Sequence, residues 1–134
     1  MLPDRVSLIK EALSGVFDRY RGRVLFAYVF GSAAVEETTP MSDLDIAVFL
    51  SEGTREFYSD TRLSLYADLC RVLKRNDVDL LVLNTAGNLI LLDEIVRKGV
   101  LLYDDAVEVR EVFEVRVIHE AIDFKHQRLE VMGI

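Results

Sequence analysis

Two aspartates stand one residue apart at the start of an apolar run, in the stretch DLDIAVFL at residues 43–50. If this run is a β-strand, successive side chains point to opposite faces, so Asp43 and Asp45 share one face. Neighbouring carboxylates repel each other and raise each other's pKa unless a cation lies between them. Mg²⁺ is such a cation, because it prefers oxygen ligands and binds carboxylates together with substrate phosphates. The pair therefore indicates a metal site for a phosphorylated substrate.

A third acid extends this cluster under one condition. Asp79 lies in VDLLVLN, residues 78–84, a run that is also typical of a strand. If this strand pairs beside the first, its carboxylate can join the other two. A structural explanation stays open, in which Asp43 caps a turn and Asp45 pairs with a surface arginine.

A glycine and a serine follow an earlier apolar run, VLFAYVF, residues 24–30. Gly31 would let the backbone approach a phosphate closely, and amides at a helix start can bind phosphate oxygens. Ser32 would add a hydroxyl donor. A plain turn at the end of a strand would also use this pair.

The elements that must position these residues alternate between helix and strand. Apolar periodicity and chain-breaking residues predict helices at 2–20, 53–76, 88–98 and 104–132, and strands at 24–30, 45–50, 78–84 and 100–103. Gly99 is expected to close the third helix in the left-handed conformation. This order predicts an α/β fold, with a small mixed sheet of about four strands flanked by helices and a long C-terminal helix. The strand order cannot be read from the sequence.

Length and composition limit the class of protein. The 134 residues predict one domain, 1–134, and no run approaches the roughly 20 apolar residues of a membrane span. The N-terminus does not resemble a secretory signal, so we expect a soluble, cytoplasmic protein. A net charge of −7 repels phosphate backbones, which argues against nucleic acid as the primary partner.

The motifs together resemble a known superfamily. A Gly-Ser pair, ten residues, a DxD pair and a third aspartate on a later strand are similar to those of the nucleotidyltransferases, which include polymerase β-like enzymes. Nearly the whole chain resembles a minimal nucleotidyltransferase (MNT), a group often found as the antitoxin beside a HEPN-domain toxin. The resemblance implies the nucleotidyltransferase fold.

The resemblance also implies a role for each motif residue. Gly31 and Ser32 would hold the triphosphate of ATP, Asp43 and Asp45 would bind two Mg²⁺ ions, and Asp79 would complete the metal site and help activate the acceptor hydroxyl. The reaction would transfer AMP from ATP to a hydroxyl of the HEPN toxin, with tyrosine as the expected acceptor.

One departure bears on activity. Relatives often continue GSxARG, whereas this chain has Val35 in place of the arginine and Glu36 in place of the glycine. Arg21, Arg23 or an arginine of a partner could replace the missing contact, or ATP binding is weakened. Two other functions therefore stay open: an inactive antitoxin that neutralises its partner by binding alone, and a transferase that acts on a small molecule such as an antibiotic.

The remaining polar and aromatic residues have mostly structural interpretations. We expect Cys70, Tyr28 and Phe30 in the core, and His119 and His126 at the surface. Tyr58 could stack on a base.

The last helix carries apolar residues on more than one face. A small sheet covers only one stripe of a helix, so the other positions are expected to bury against a second chain, either the toxin or another copy. Packing against the N-terminal helix is the alternative.

Overall fold

The computed structural model describes residues 4–31, 34 and 43–133. It contains eight elements in the predicted order, which confirms the α/β fold class. Their bounds are α1 Arg5–Arg19, β1 Val24–Phe30, β2 Leu44–Leu50, α2 Arg55–Leu73, β3 Val78–Val82, α3 Leu89–Lys98, β4 Val100–Asp104 and α4 Val107–Val131.

The four strands form one mixed sheet in the order β3-β2-β1-β4. Strand β1 runs antiparallel to both β2 and β4, whereas β2 and β3 are parallel. A parallel pair needs a long crossover connection, and α2 provides it. The inner strands β1 and β2 are buried on both faces, which explains why their sequences read as continuous apolar runs.

Alternating residues of the strands divide the core into two layers. Leu44, Ile46 and Val48 of β2 pack with buried residues of α1 and α2. Ala47 and Phe49 point to the other face, where they pack with residues of α3 and α4. Asp43 and Asp45 therefore share the face that α3 and α4 cover, as the alternation along a strand predicts.

Side chains cap the N-termini of three of the helices. Asp4, Thr54 and Asn88 each accept a hydrogen bond from a backbone amide in the first turn of α1, α2 and α3, respectively. The prediction for Gly99 is wrong, because its φ of −68° and ψ of 157° are extended rather than left-handed. The left-handed cap occurs at Lys74, which ends α2 with a φ of 54°.

Helix α4 buries only one stripe, formed by Phe113, Val117 and Ala121. Most of its other large apolar residues are exposed in this chain: Val107, Val109, Val112, Val115, Ile122, Phe124, Leu129 and Val131. The helix packs against α3 rather than α1, so the N-terminal helix does not cover these positions. His119 and His126 are exposed on α4, as expected, whereas Cys70 is only partly buried. None of the helices in the described part of the chain is long and apolar enough to cross a membrane.

Candidate active site

The parallel pairing of β2 and β3 brings two of the aspartates together. Asp45 and Asp79 are each the second residue of their strand, and the register places them directly opposite one another. Paired residues on adjacent strands have Cα atoms about 4.8 Å apart. Asp43 lies two residues before Asp45, on the same side. The condition set for Asp79 is met, and the three carboxylates lie at one end of the sheet.

The electrostatics of Asp45 reflect this crowding. Burial raises the pKa of its carboxyl group above the ordinary value, and the negative charges of Asp79 and Asp43 raise it further. Within the described segments, no hydrogen bond or ion pair with a cationic side chain compensates Asp45. The structural explanation that pairs Asp45 with a surface arginine therefore has no support in these segments.

Gly31 brings the backbone after β1 against the Asp45 carboxylate. Its φ is +71°, a conformation that L side chains rarely adopt. A Cβ at this position would overlap Oδ2 of Asp45 and lie 3.3 Å from its Cγ. Only glycine allows this approach without displacing the carboxylate. Ser32, Val35 and Glu36 lie outside the described residues.

Oxygen ligands of this kind suit Mg²⁺, which binds carboxylates in preference to softer groups. Across residues 4–31, 34 and 43–133, however, no three aspartate, glutamate, histidine or cysteine side chains are positioned to hold one metal ion. The donor chemistry fits the expected ion, and the uncompensated charge of Asp45 favours a cation. The binding of two Mg²⁺ ions by Asp43 and Asp45 remains a prediction.

The arginines suggested as replacements for the missing GSxARG arginine lie at the wrong end of the sheet. Arg21 and Arg23 precede β1, whereas Gly31 follows it, and a seven-residue strand separates the two positions by about 20 Å. Arg21 also pairs with Asp18 and Asp105, and Arg23 lies over the ring of Tyr20. Neither side chain reaches the carboxylates.

A cavity of about 540 Å³ lies between α2 and the edge strand β3. Asp79 separates it from Asp45 and Gly31. Its polar lining consists of Arg55, Tyr58, Ser59, Arg62, Asp79 and Thr85. The four α2 residues recur at helical spacing, i, i+3, i+4 and i+7, and so share one face of the helix. This polar stripe was the available signal for the two arginines, which sequence reasoning missed. Tyr58 lies in the cavity lining, and its expected stacking on a base remains a prediction.

Comparison with known families identifies the fold around these residues. Residues 11–108 match the family described as polymerase beta, nucleotidyltransferase. The chain belongs to the polymerase beta nucleotidyltransferase family. The matched part runs from the middle of α1 to the first turn of α4 and includes Gly31, Asp43, Asp45 and Asp79.

Several solved structures share this nucleotidyltransferase fold. A chain of a toxin–antitoxin crystal structure with AMP-PNP is 23% identical, with a TM-score of 0.73 over 92% of this chain and 95% of that one. A complex of tri-AMPylated Shewanella oneidensis HEPN toxin with MNT antitoxin gives 23% identity and a TM-score of 0.69, covering 96% of each chain. A chain of the toxin–antitoxin pair MntA-HepT is 23% identical, with a TM-score of 0.68 over 95% of this chain and 96% of that one. No curated protein sequence matches this chain.

Proposed function

We propose that this nucleotidyltransferase is an MNT-type antitoxin that transfers AMP from ATP to a hydroxyl group of a cognate HEPN toxin, with tyrosine as the acceptor. The observation that carries the proposal is the in-register pair Asp45 and Asp79 beside Gly31. Similar folds occur in a toxin–antitoxin structure with AMP-PNP and in a complex with a tri-AMPylated HEPN toxin. These relatives support both the nucleotide and the partner.

The chain's own residues divide the work between phosphate binding and charge. The backbone at Gly31, with the hydroxyl of Ser32, holds the triphosphate, because the missing Cβ lets phosphate oxygens approach the amides. Asp43 and Asp45 would hold two Mg²⁺ ions, and Asp79 would complete the metal site. Bound Mg²⁺ would neutralise charge on the attacking and leaving oxygens.

The reaction is a single displacement at the α-phosphorus. The acceptor oxygen forms a bond to that phosphorus, the bond to the bridging oxygen breaks, and pyrophosphate leaves with the electron pair. Asp79 accepts the hydroxyl proton directly or through water. In such transfers positioning and electrostatics supply most of the acceleration, so few other catalytic side chains are needed.

Labelling of the partner tests this proposal. The purified chain is mixed with its cognate partner, Mg²⁺ and ATP labelled at the α-phosphate, and label on the partner is measured. We expect Asp43→Asn and Asp79→Asn to reduce labelling by about 100-fold or more, because several kcal/mol of charge stabilisation are lost. Asp60→Asn is the matched control, since this exposed acid lies on α2 outside the cluster. Labelling that persists in the Asp43 or Asp79 variant would refute the assignment of these residues to the active site.

Neutralisation by binding alone is the second candidate, and the exposed apolar residues of α4 favour it, because they offer a contact surface that needs no chemistry. Calorimetric titration with Mg-ATP separates the two functions. A saturable heat of ATP binding supports the enzyme. The absence of any heat of ATP binding, together with tight binding of the partner, supports the inactive antitoxin.

A further inference from the structure

The order of the strands gives the site two distinct sides. Phe30, Asp45 and Asp79 lie in one row across β1, β2 and β3. Gly31 stands at one end of this row, and the cavity lined by Arg55 and Arg62 begins at the other. The attacking and leaving oxygens of a phosphoryl or nucleotidyl transfer lie roughly in line on opposite sides of the phosphorus. With the triphosphate at Gly31, the acceptor approaches from the side of Asp79 and the cavity.

The cavity is cationic in a chain of net charge −7. Two arginines and the hydroxyl-bearing residues Tyr58, Ser59 and Thr85 line it. Asp79, whose side chain shares the face of Asp45, is the one acidic residue of this lining. Neither Arg55 nor Arg62 forms an ion pair with any carboxylate of the described segments. Guanidinium groups bind carboxylates and phosphates through paired hydrogen bonds, so this side of the site fits an anion.

Arg62 has a structural role that leaves part of its side chain available. Its Nε donates a hydrogen bond of 3.0 Å to the carbonyl oxygen of Leu80, on the edge strand β3. This contact covers a backbone acceptor at the sheet edge and holds the guanidinium beside the cavity. The terminal nitrogens of Arg62 make no hydrogen bond within the described segments, and they remain free to bind a ligand.

We propose that the cavity bounded by Arg55, Tyr58, Arg62 and Asp79 is the acceptor site, and that it selects a polypeptide hydroxyl with a negatively charged group beside it. This inference rests on the proposed function. The anion has two possible sources, namely acidic side chains that flank the acceptor tyrosine, or the phosphodiester of an AMP already attached to it. A volume of about 540 Å³ suits either.

Three fluorescent peptides test the site by equilibrium binding, measured as anisotropy with the full chain, Mg²⁺ and α,β-methylene ATP, whose α–β bridge cannot be cleaved. One peptide has a tyrosine flanked by aspartates, one has the same tyrosine flanked by asparagines, and one is the asparagine peptide with AMP on the tyrosine as a phosphodiester. We expect the aspartate peptide, the AMP-bearing peptide or both to bind about tenfold more tightly than the neutral one. Which of the two binds more tightly identifies the source of the anion.

Arginine variants decide whether the cavity causes the preference for anionic peptides. Arg55→Gln and Arg62→Gln should each remove most of the preference for the anionic peptides, whereas Arg116→Gln, an equal charge change on the exposed surface of α4, should keep it. Binding of α,β-methylene ATP alone should stay unchanged in all three variants.

Four results would overturn the acceptor site. They are equal binding of all three peptides, no binding of any peptide, a preference that survives in Arg62→Gln, and tighter binding of a short oligoribonucleotide than of any peptide. A fifth result, loss of affinity for α,β-methylene ATP in Arg62→Gln, would also overturn it, because it would assign the cavity to the nucleotide instead. Because binding is measured without turnover, failure of AMP transfer is seen separately, in the labelling experiment.

Discussion

At the level of single side chains, Asp45 carries the clearest electrostatic cost. Its pKa is raised by burial and by the charges of Asp79 and Asp43. An acid with a raised folded-state pKa stabilises the fold below its ordinary pKa and loses that contribution as pH rises through the folded value. The ionised site is therefore least favourable at neutral pH without a cation.

Asp45→Asn should consequently be more stable than the wild type at pH 7 without Mg²⁺, by roughly 0.5 kcal/mol, because it removes a repelling charge. The advantage should vanish below the ordinary value of 3.8, where the wild-type carboxyl is protonated. Thermal unfolding at both pH values measures it. Added Mg²⁺ should raise the Tm of the wild type only. A variant that is less stable at pH 7 contradicts this account of the site.

The close approach of Gly31 to Asp45 leads to a second prediction. Gly31→Ala adds both left-handed strain, about 1–2 kcal/mol, and an overlap with the carboxylate. Gly22→Ala is the matched control, because its φ is +86° but no atom lies within 4 Å of the added Cβ. We expect Gly31→Ala to lower the free energy of unfolding by more than Gly22→Ala does, as measured by denaturant titration.

A double variant isolates the overlap in this comparison. In an Asp45→Ala background the carboxylate is gone, so Gly31→Ala should cost no more than Gly22→Ala. An unchanged cost in that background would show that Asp45 is not the obstacle. ATP binding should fall in Gly31→Ala but not in Gly22→Ala.

At the level of elements, a buried carboxylate joins α3 to α4. Asp93 receives hydrogen bonds of 2.8 Å from Arg97 and 3.5 Å from Lys125 of α4. Burial alone would raise the pKa of Asp93, but the two cations outweigh it and lower the pKa below its ordinary value. The ion pairs therefore stabilise the fold above the ordinary pKa, and the contribution is lost as pH falls through the folded value.

Asp93→Asn should lower the free energy of unfolding by about 1–2 kcal/mol at pH 7, since charged hydrogen bonds are lost in a buried place. The loss should disappear at a pH well below 3.8. Urea titrations at both pH values measure this, with Glu94→Gln as the control, because Glu94 is its exposed neighbour on α3. Equal stability of wild type and Asp93→Asn at pH 7 would refute a stabilising role of the ion pairs between α3 and α4.

The spans of these elements were predictable because the signals for them are local. Apolar periodicity and caps such as Thr54 lie within a few residues of the structure they determine. Strand order was not predictable, since it depends on packing between residues far apart in sequence. The closure of α3 was misjudged for a related reason: Gly99 continues directly into β4, and its amide bonds to the carbonyl of Ile95 without a left-handed turn.

For the candidate site, too, only the features with local signals were predictable. The DxD spacing placed Asp43 and Asp45 on one face, and a strand-like run offered Asp79 as a neighbour. The contact between Gly31 and Asp45 and the cavity beyond Asp79 depend on which strands are adjacent and which strand is the edge. No pattern in one segment contains that information.

At the scale of the whole molecule, the exposed residues of α4 predict association. Val112 is 70% exposed and Val115 is 53% exposed, on a helix whose buried stripe already faces the core. An apolar surface of this kind is typical of a protein–protein interface. The expected outcome is that the purified chain forms oligomers or binds its cognate partner through α4.

Sedimentation of the isolated chain and of its mixture with the partner tests this expectation. Val112→Asp combined with Val115→Asp should prevent association, whereas Leu63→Asp should not, because Leu63 is similarly exposed, at 62%, but lies on α2. A monomer that ignores the partner, or a double variant that still associates, would refute the role of α4.

The edge position of β3 makes one part of the molecule able to open separately from the rest. This five-residue strand has a neighbour on one side only, whereas β1 and β2 each have two. Segments with few partners open locally at a free energy below that of global unfolding. We expect the amide of Leu81, which points toward β2 as that of Leu83 does, to exchange hydrogen faster than that of Ala27, and ligands that bind across β2 and β3 to slow it. Because Asp79 belongs to this strand, local opening would switch the chemistry off while the remaining sheet, and the surface that contacts a partner, stayed folded.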